Sequence, residues 1–297
     1  MHESAPLAAP AFRRIFFPSD LSPASDRAFG HARLLASRLG AEVTIYHALE
    51  IPPARWVKAA GREDELRRLL ASEARALLQA QAASLDVPHE VLVDDDVSAA
   101  SSLADIAVLR HIHARRPDLV VMATHSRSAL DSFFLGSVAQ EVLAHAGRPV
   151  LVVGPRGQAP PAGYRRIVVA TDLSDSSRRA FPYASLLSSR FGADLTAIYV
   201  IPRPILAALS DNARALAAAV PDTAALRAFL ADALPAGRVT PRVEQGAPWE
   251  RIVAVARDES ADLIVMATNG ADGIDERLLG SQTERVVRRA PCAVLAV

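Results

Sequence analysis

Residues 13–49 read "RRIFFPSDLSPASDRAFGHARLLASRLGAEVTIYHAL" and residues 165–201 read "RRIVVATDLSDSSRRAFPYASLLSSRFGADLTAIYVI". The two stretches align without a gap and share about half of their residues. In each, a short β-branched run gives way to a segment with helical spacing and then to a second apolar run, which is the beginning of a β-α-β pattern. The chain therefore reads as a duplicated unit.

Working outward, "PDLVVMATHS" at 117–126 matches "ADLIVMATNG" at 261–270, and "GSVAQEVLAHAGRPVLVV" at 136–153 matches "GSQTERVVRRAPCAVLAV" at 280–297. With only two copies, each of domain size, this is tandem duplication rather than a solenoid. The Pro/Gly-rich "GPRGQAPPAG" at 154–163 separates them as a linker. The expected domains are residues 1–155 and 164–297, with the linker over 156–163. Near-continuous apolar strands alternating with helices predict a five-stranded parallel sheet per copy, with helices on both faces. Ser22 or Ser25, and Asp175 or Ser176, are candidate N-caps, while Gly40 and Gly192 fall where a left-handed C-terminal residue is wanted.

Composition excludes several classes. Hydrophobic residues make up 51% of the 297 and charged residues 22%, with a formal net charge of +0, which argues against disorder and against the basic excess of a nucleic-acid binder. The opening "MHESAPLAAPAF" lacks the form of a signal peptide, and no apolar run approaches the roughly 18 residues of a membrane span, so the cytoplasm is the expected location. Cys292 is the single cysteine and reads as a buried structural thiol.

In open sheets of this kind ligands bind beyond the carboxyl ends of the strands, where strand order reverses. Those ends carry Asp20 and Asp172 after the first strand, Ala48 and Val200 after the second, and a long polar loop after the fourth. Each loop closes on Gly-Ser, Gly136-Ser137 or Gly280-Ser281, at the start of the last helix. A helix start presents unpaired N–H groups and a positive dipole end, and glycine lets a ligand come close, so phosphate is the expected guest.

These features together resemble the universal stress protein family in tandem-domain form. Its nucleotide-binding members carry G-x2-G-x9-G-[ST] after the fourth strand and an Asp in a P-[ST]-D-x-S-like turn after the first. Here the second copy reads Ala267, Gly270, Gly280, Ser281 and the first Ala123, Ser126, Gly136, Ser137, with turns "PSDLS" and "ATDLS". The resemblance implies two Rossmann-like domains, similar to the adenine nucleotide alpha hydrolases, and a non-catalytic role in stress response. The implied ligand is ATP, or AMP or ADP, with Mg²⁺ as a companion of the phosphates. In the second copy, Thr171 and Asp172 would hold the adenine and ribose side and Val200 the base. Met266, Ala267 and Gly270 would line the ribose and inner phosphate, and Gly280, Ser281, Gln282 and Thr283 would receive the outer phosphates. The matching set in the first copy is Ser19, Asp20, Ala48, Met122, Ala123, Ser126, Gly136, Ser137 and Val138. Ser126 and Ala139 replace Gly270 and Thr283, so the second copy is expected to be the better site. The final strands, at sheet edges in the family, imply association of the two copies as an intrachain pseudo-dimer, with a homodimer as the alternative. A nucleotide-free scaffold and a slow ATP hydrolase are the rival functions.

Other residues read more plainly. Asp94, Asp95 and Asp96 could hold Mg²⁺ but suit a solvated strand-to-helix turn. His111 and His113 lie two apart on a predicted helix, where they cannot chelate one metal, and read as surface or core-edge residues. His125 and Asn269 occupy matching loop positions near the proposed phosphates; Arg127 adds charge there, where the second copy has Ala271 and, further on, Arg277. Trp56 and Trp249 read as packing or loop-edge residues. No P-loop, dinucleotide fingerprint, G-x-S-x-G elbow, metal cluster of plausible spacing or complete nucleophile, base and orienter set is legible, so no catalytic residue is assigned.

Overall fold

The computed structural model describes residues 10–49, 62–95, 104–124, 135–202, 223–231, 239–268 and 280–297. The chain divides into two compact units, Phe12–Ala159 and a second that includes Pro160–Val297. In the first unit the elements run β1 (Arg14–Pro18), α1 (Pro23–Leu39), β2 (Glu42–Ala48), α2 (Glu63–Ala82), β3 (His89–Asp94), α3 (Ala104–Arg115), β4 (Leu119–Ala123), α4 (Ser137–His145) and β5 (Val150–Val153). The second unit follows with β6 (Arg166–Thr171), a single turn α5 (Asp175–Arg178), α6 (Ala180–Phe191), β7 (Asp194–Ile201), α7 (Thr223–Leu230), β8 (Val239–Gln245), α8 (Pro248–Asp258), β9 (Leu263–Met266), α9 (Ser281–Arg289) and β10 (Ala293–Ala296).

Strands pair in the order β3-β2-β1-β4-β5 in the first unit and β8-β7-β6-β9-β10 in the second, every pair parallel. The chain lays β1, β2 and β3 outward in one direction, then returns to place β4 on the other side of β1. The reversal leaves the segments after β1 and β4 side by side at the carboxyl edge. Consecutive residues of a strand face opposite sides of the sheet, and Leu119, Val120, Val121 and Met122 are all buried, as are Leu263, Ile264, Val265 and Met266. Both faces of these central strands are therefore covered. Phe16 and Phe17 extend the core in opposite directions, to Tyr46 and Phe29, with ring centroids 5.4 Å apart in each pair.

An aspartate at the entry of the fourth strand anchors each sheet. Asp118 Oδ2 accepts the main-chain N–H groups of Arg13 and Arg14, both at 3.0 Å, and Asp262 Oδ2 accepts those of Arg165 and Arg166 at 2.7 and 2.9 Å. Gly40 and Gly192 end α1 and α6 with φ of 67° and 70°, the expected left-handed caps. Ser22 caps α1 through its acceptance of the Ser25 N–H. In the second copy the cap is Ser174 rather than Asp175 or Ser176, because the Asp-Leu-Ser turn sets the helix start at the same place in both units. One helix differs. α1 is continuous, whereas its counterpart breaks between α5 and α6. Gly30 stands where the second copy has Pro182, which lacks an N–H and whose ring crowds the carbonyl four residues back, at Arg178.

Candidate functional site

After β1 the chain turns on Asp20. Leu21 takes φ of 60°, a left-handed conformation uncommon for leucine. Side chains hold it there: Ser19 Oγ accepts the Leu21 N–H at 3.2 Å, and Asp20 Oδ1 accepts the Ser22 N–H at 3.0 Å. The Ser22 and Ser25 hydroxyls both donate to the same Oδ1 at 2.5 Å. Asp20 Oδ2 is buried and has no hydrogen-bond partner among the described residues. His47, at the end of β2, donates from Nδ1 to the Ser19 carbonyl at 2.8 Å, since a carbonyl only accepts.

The second unit repeats the turn with a different allocation of hydroxyls. Leu173 has φ of 65°, Thr171 Oγ1 accepts its N–H at 3.0 Å, and Asp172 Oδ1 accepts the Ser174 N–H and hydroxyl at 3.0 and 2.5 Å. Ser177, the counterpart of Ser25, gives its single hydroxyl proton to the Ser174 carbonyl at 2.8 Å, so the 2.7 Å contact with Thr171 has Thr171 as donor. Asp172 is exposed.

The last helix of each unit starts on a glycine tied back to the end of the fourth strand. Gly136 donates its N–H to Thr124 O at 2.7 Å, and Gly280 to Thr268 O at 2.9 Å. Their φ values, −62° and −60°, suit any residue, so neither glycine is there for conformational freedom. What both contribute is the lack of a side chain: no side chain among the described residues caps the first-turn amides of α4 or α9. Ser137 and Ser281 are exposed, and Val138 is half-buried. Met122, Met266, Ala267 and Val200 are buried, with Ala123 and Ala48 half-buried at the first unit's strand ends.

Two residues expected at the phosphates have other duties. Thr283 is 2% exposed, and its hydroxyl donates to the carbonyls of Ala267 and Thr268 at 3.0 and 3.2 Å, fastening α9 to the end of β9. One turn of helix carries its side chain inward, as it does the buried Ala139 of the first unit. Gln282 Oε1 accepts the Trp249 N–H at 3.2 Å, so it caps α8, whose own N-cap is Ala247. Trp249 is half-buried, with the Arg289 guanidinium 4.7 Å above its ring. Gly270 and Ser126 lie outside the described residues, as do His125, Arg127, Asn269, Ala271, Arg277, Trp56 and Asp96.

Charge at the sheet's carboxyl edge was not legible in the sequence. Asp94, read as part of a solvated turn, has a side chain only 9% exposed. Its Oδ2 accepts from Tyr46 Oη at 2.9 Å, Arg110 at 2.6 Å and His111 Nε2 at 3.1 Å, and the Tyr46 and His111 rings lie 4.4 Å apart. Burial and the adjacent Asp94 push the Tyr46 hydroxyl above its ordinary range. Glu244 occupies the matching position: Ala48 pairs with Asp94 and Val200 with Glu244. Burial alone would raise the Glu244 carboxyl, but hydrogen bonds from Arg242 at 2.7 Å and Arg251 at 2.6 Å outweigh it and hold it below the usual range. His113 donates to the carbonyl of His145, joining α3 to the end of α4. Among the described residues no group of three His, Cys, Asp or Glu could hold a metal ion, and no helix is long and apolar enough to cross a membrane.

The Universal stress protein family model matches residues 11–154 and again 163–297. The chain belongs to the universal stress protein family. A universal stress protein of Mycolicibacterium smegmatis is 28% identical over 292 residues, covering 94% of each chain. A shorter universal stress protein of Methanocaldococcus jannaschii is 34% identical over 139 residues, which span 45% of this chain and 82% of that one. Among solved structures, a universal stress protein from Archaeoglobus fulgidus superposes with a TM-score of 0.63 at 21% identity, covering 96% of this chain and 98% of that chain. That likeness extends the fold over both units.

Proposed function

We propose that this universal stress protein is a non-catalytic adenine-nucleotide-binding protein of the stress response, with one site in each unit. ATP is the ligand that best suits the residues, with AMP or ADP as shorter relatives and Mg²⁺ accompanying the phosphates. The carrying observation is a buried acceptor, Asp20 Oδ2, without a hydrogen-bond partner among the described residues, at the same reversal of strand order as a glycine-started helix whose first turn has no side-chain cap among them. A nucleoside supplies N–H and O–H donors for the first, and a phosphate supplies acceptors for the second.

In the second unit, Thr171 and Asp172 face the base and ribose side, Val200 the base, and Met266, Ala267 and Gly270 the ribose and inner phosphate. The outer phosphates meet the main-chain N–H groups that follow Gly280, with the Ser281 hydroxyl beside them. The corresponding residues of the first unit are Ser19, Asp20, Ala48, Met122, Ala123, Ser126, Gly136, Ser137 and Val138. Gly270 in place of Ser126 supports a more open phosphate end in the second unit.

Mass spectrometry of small molecules released on denaturing the purified protein tests the reading, together with calorimetry against ATP. An adenylate in the released fraction and a measurable ATP isotherm are expected. Absence of both, with no heat at millimolar ATP, would overturn it.

A further inference from the structure

We infer that Ser25 is a positioning residue that dedicates one oxygen of Asp20 to a single hydrogen-bond donor of the nucleoside, so that the first unit reads that donor more strictly than the second. This rests on the nucleotide reading above and adds a division of labour between the two units.

Three donors converge on Asp20 Oδ1: the Ser22 N–H at 3.0 Å and the hydroxyls of Ser22 and Ser25 at 2.5 Å. That oxygen is saturated. Ser25 also accepts the main-chain N–H of Asp20 at 3.3 Å, so one hydroxyl grips both the backbone and the side chain of the same residue. Ser25 is 3% exposed, which keeps water from competing for its proton. The carboxylate is thereby fixed with Oδ2 buried and unmet among the described residues. A desolvated acceptor held in place discriminates sharply, because an analogue lacking the donor leaves it unpaired.

The second unit lacks this device. Ser177 gives its proton to the Ser174 carbonyl and is tied to Thr171, and Asp172 is exposed. Water can replace a missing ligand donor there, so the loss of that donor is felt less. Ser25 can also be tested apart from the helix cap. The cap is made by the Ser25 N–H on Ser22 Oγ, and alanine retains that N–H.

The donor on Oδ2 is an N–H of the base or an O–H of the ribose, and calorimetry on the full chain separates them. The probes are ATP, purine riboside triphosphate, 2′-deoxy-ATP and 3′-deoxy-ATP. A Gly280→Val background isolates the first unit and Gly136→Val the second. In the first unit one analogue is expected to bind about tenfold or more weakly than ATP. Ser25→Ala should compress that gap to less than about threefold. In the second unit no analogue should lose more than about threefold, and Ser177→Ala should leave the pattern as it is. Asp20→Asn, which preserves shape, should abolish the first unit's discrimination, and adding Ser25→Ala to it should change nothing further. Retained discrimination in Ser25→Ala, or in Asp20→Asn should the first variant not fold, would overturn the inference. So would equally strict discrimination in the second unit. If ATP binds in neither background, the nucleotide reading itself fails, whatever Ser25 does.

Discussion

The turns at residues 19–25 and 171–177 share an aspartate, a left-handed leucine and a capping serine, yet they distribute their hydroxyl protons differently. In the first, two serines converge on one carboxylate oxygen and leave the other buried; in the second, Ser177 turns to a backbone carbonyl and the aspartate stays at the surface. Near-identical local sequence sets the backbone path. The partner of each hydroxyl is a separate matter, decided by small differences in what lies within reach.

The largest expected effect sharpens this comparison at the phosphate end. Gly136→Val and Gly280→Val each place a branched side chain where the first-turn amides are open, and each should weaken ATP binding in its own unit by about a hundredfold, ~2.7 kcal/mol. Titration of the double and single variants would break the two-site picture if one change silenced both units.

Next is the charge at the third strand's end. Asp94→Asn removes the negative charge that Tyr46, Arg110 and His111 share and turns one carboxylate oxygen into a donor, and should cost about 2 kcal/mol in urea unfolding, the exposed Arg110 contributing least. Glu244→Gln should cost less, because its partners Arg242 and Arg251 are more exposed to solvent than Tyr46. Equal losses would show that the two carboxylates are equivalent after all.

Thr283→Val deletes a buried hydroxyl at nearly constant volume. It should lower stability by about 1 kcal/mol while leaving ATP affinity in the second unit within about threefold. A steep loss of ATP affinity at unchanged stability would return Thr283 to the phosphate site.

The smallest effects concern pH. The Glu244 carboxyl is held below its ordinary value of 4.5, so its contribution is present above that pH and is lost as pH falls below it. Glu244→Gln should flatten the acid limb of the thermal stability curve. Burial, then Asp262, pushes the Cys292 thiol up to about 12 from an ordinary 9.0. Its contribution is present below about pH 9 and is lost as pH rises toward about 12, so Cys292→Ala should reduce the slope of the alkaline limb. The folded protein should also resist thiol reagents at neutral pH.

Much of this protein was legible in its residues. The duplicated blocks gave the two units, and alternating periods gave strands and helices in their observed order. Gly40 and Gly192 gave the helix ends because glycine takes the left-handed conformation found at both without a Cβ penalty. The Asp turn and the Gly-Ser helix starts stood out because backbone geometry there depends on the local residue types. Asp118 and Asp262 lay inside matching blocks, and their repetition was a signal that could have marked them as anchors. Asp94 gave no such signal: its three partners come from β2 and α3, and an aspartate beside two others reads as solvated until the fold buries it.

The sequence by itself determined what depends on neighbours along the chain: the repeat, the strand and helix periods, the turns and the glycine start of each last helix. Tertiary structure alone decided which polar atoms are engaged and which are left over, sending Thr283 and Gln282 to carbonyl and helix end and leaving Asp20 Oδ2 unmet among the described residues. The reason is that a hydrogen bond needs its partner within about 3 Å. That proximity is created between elements far apart in sequence, where no period or motif records it.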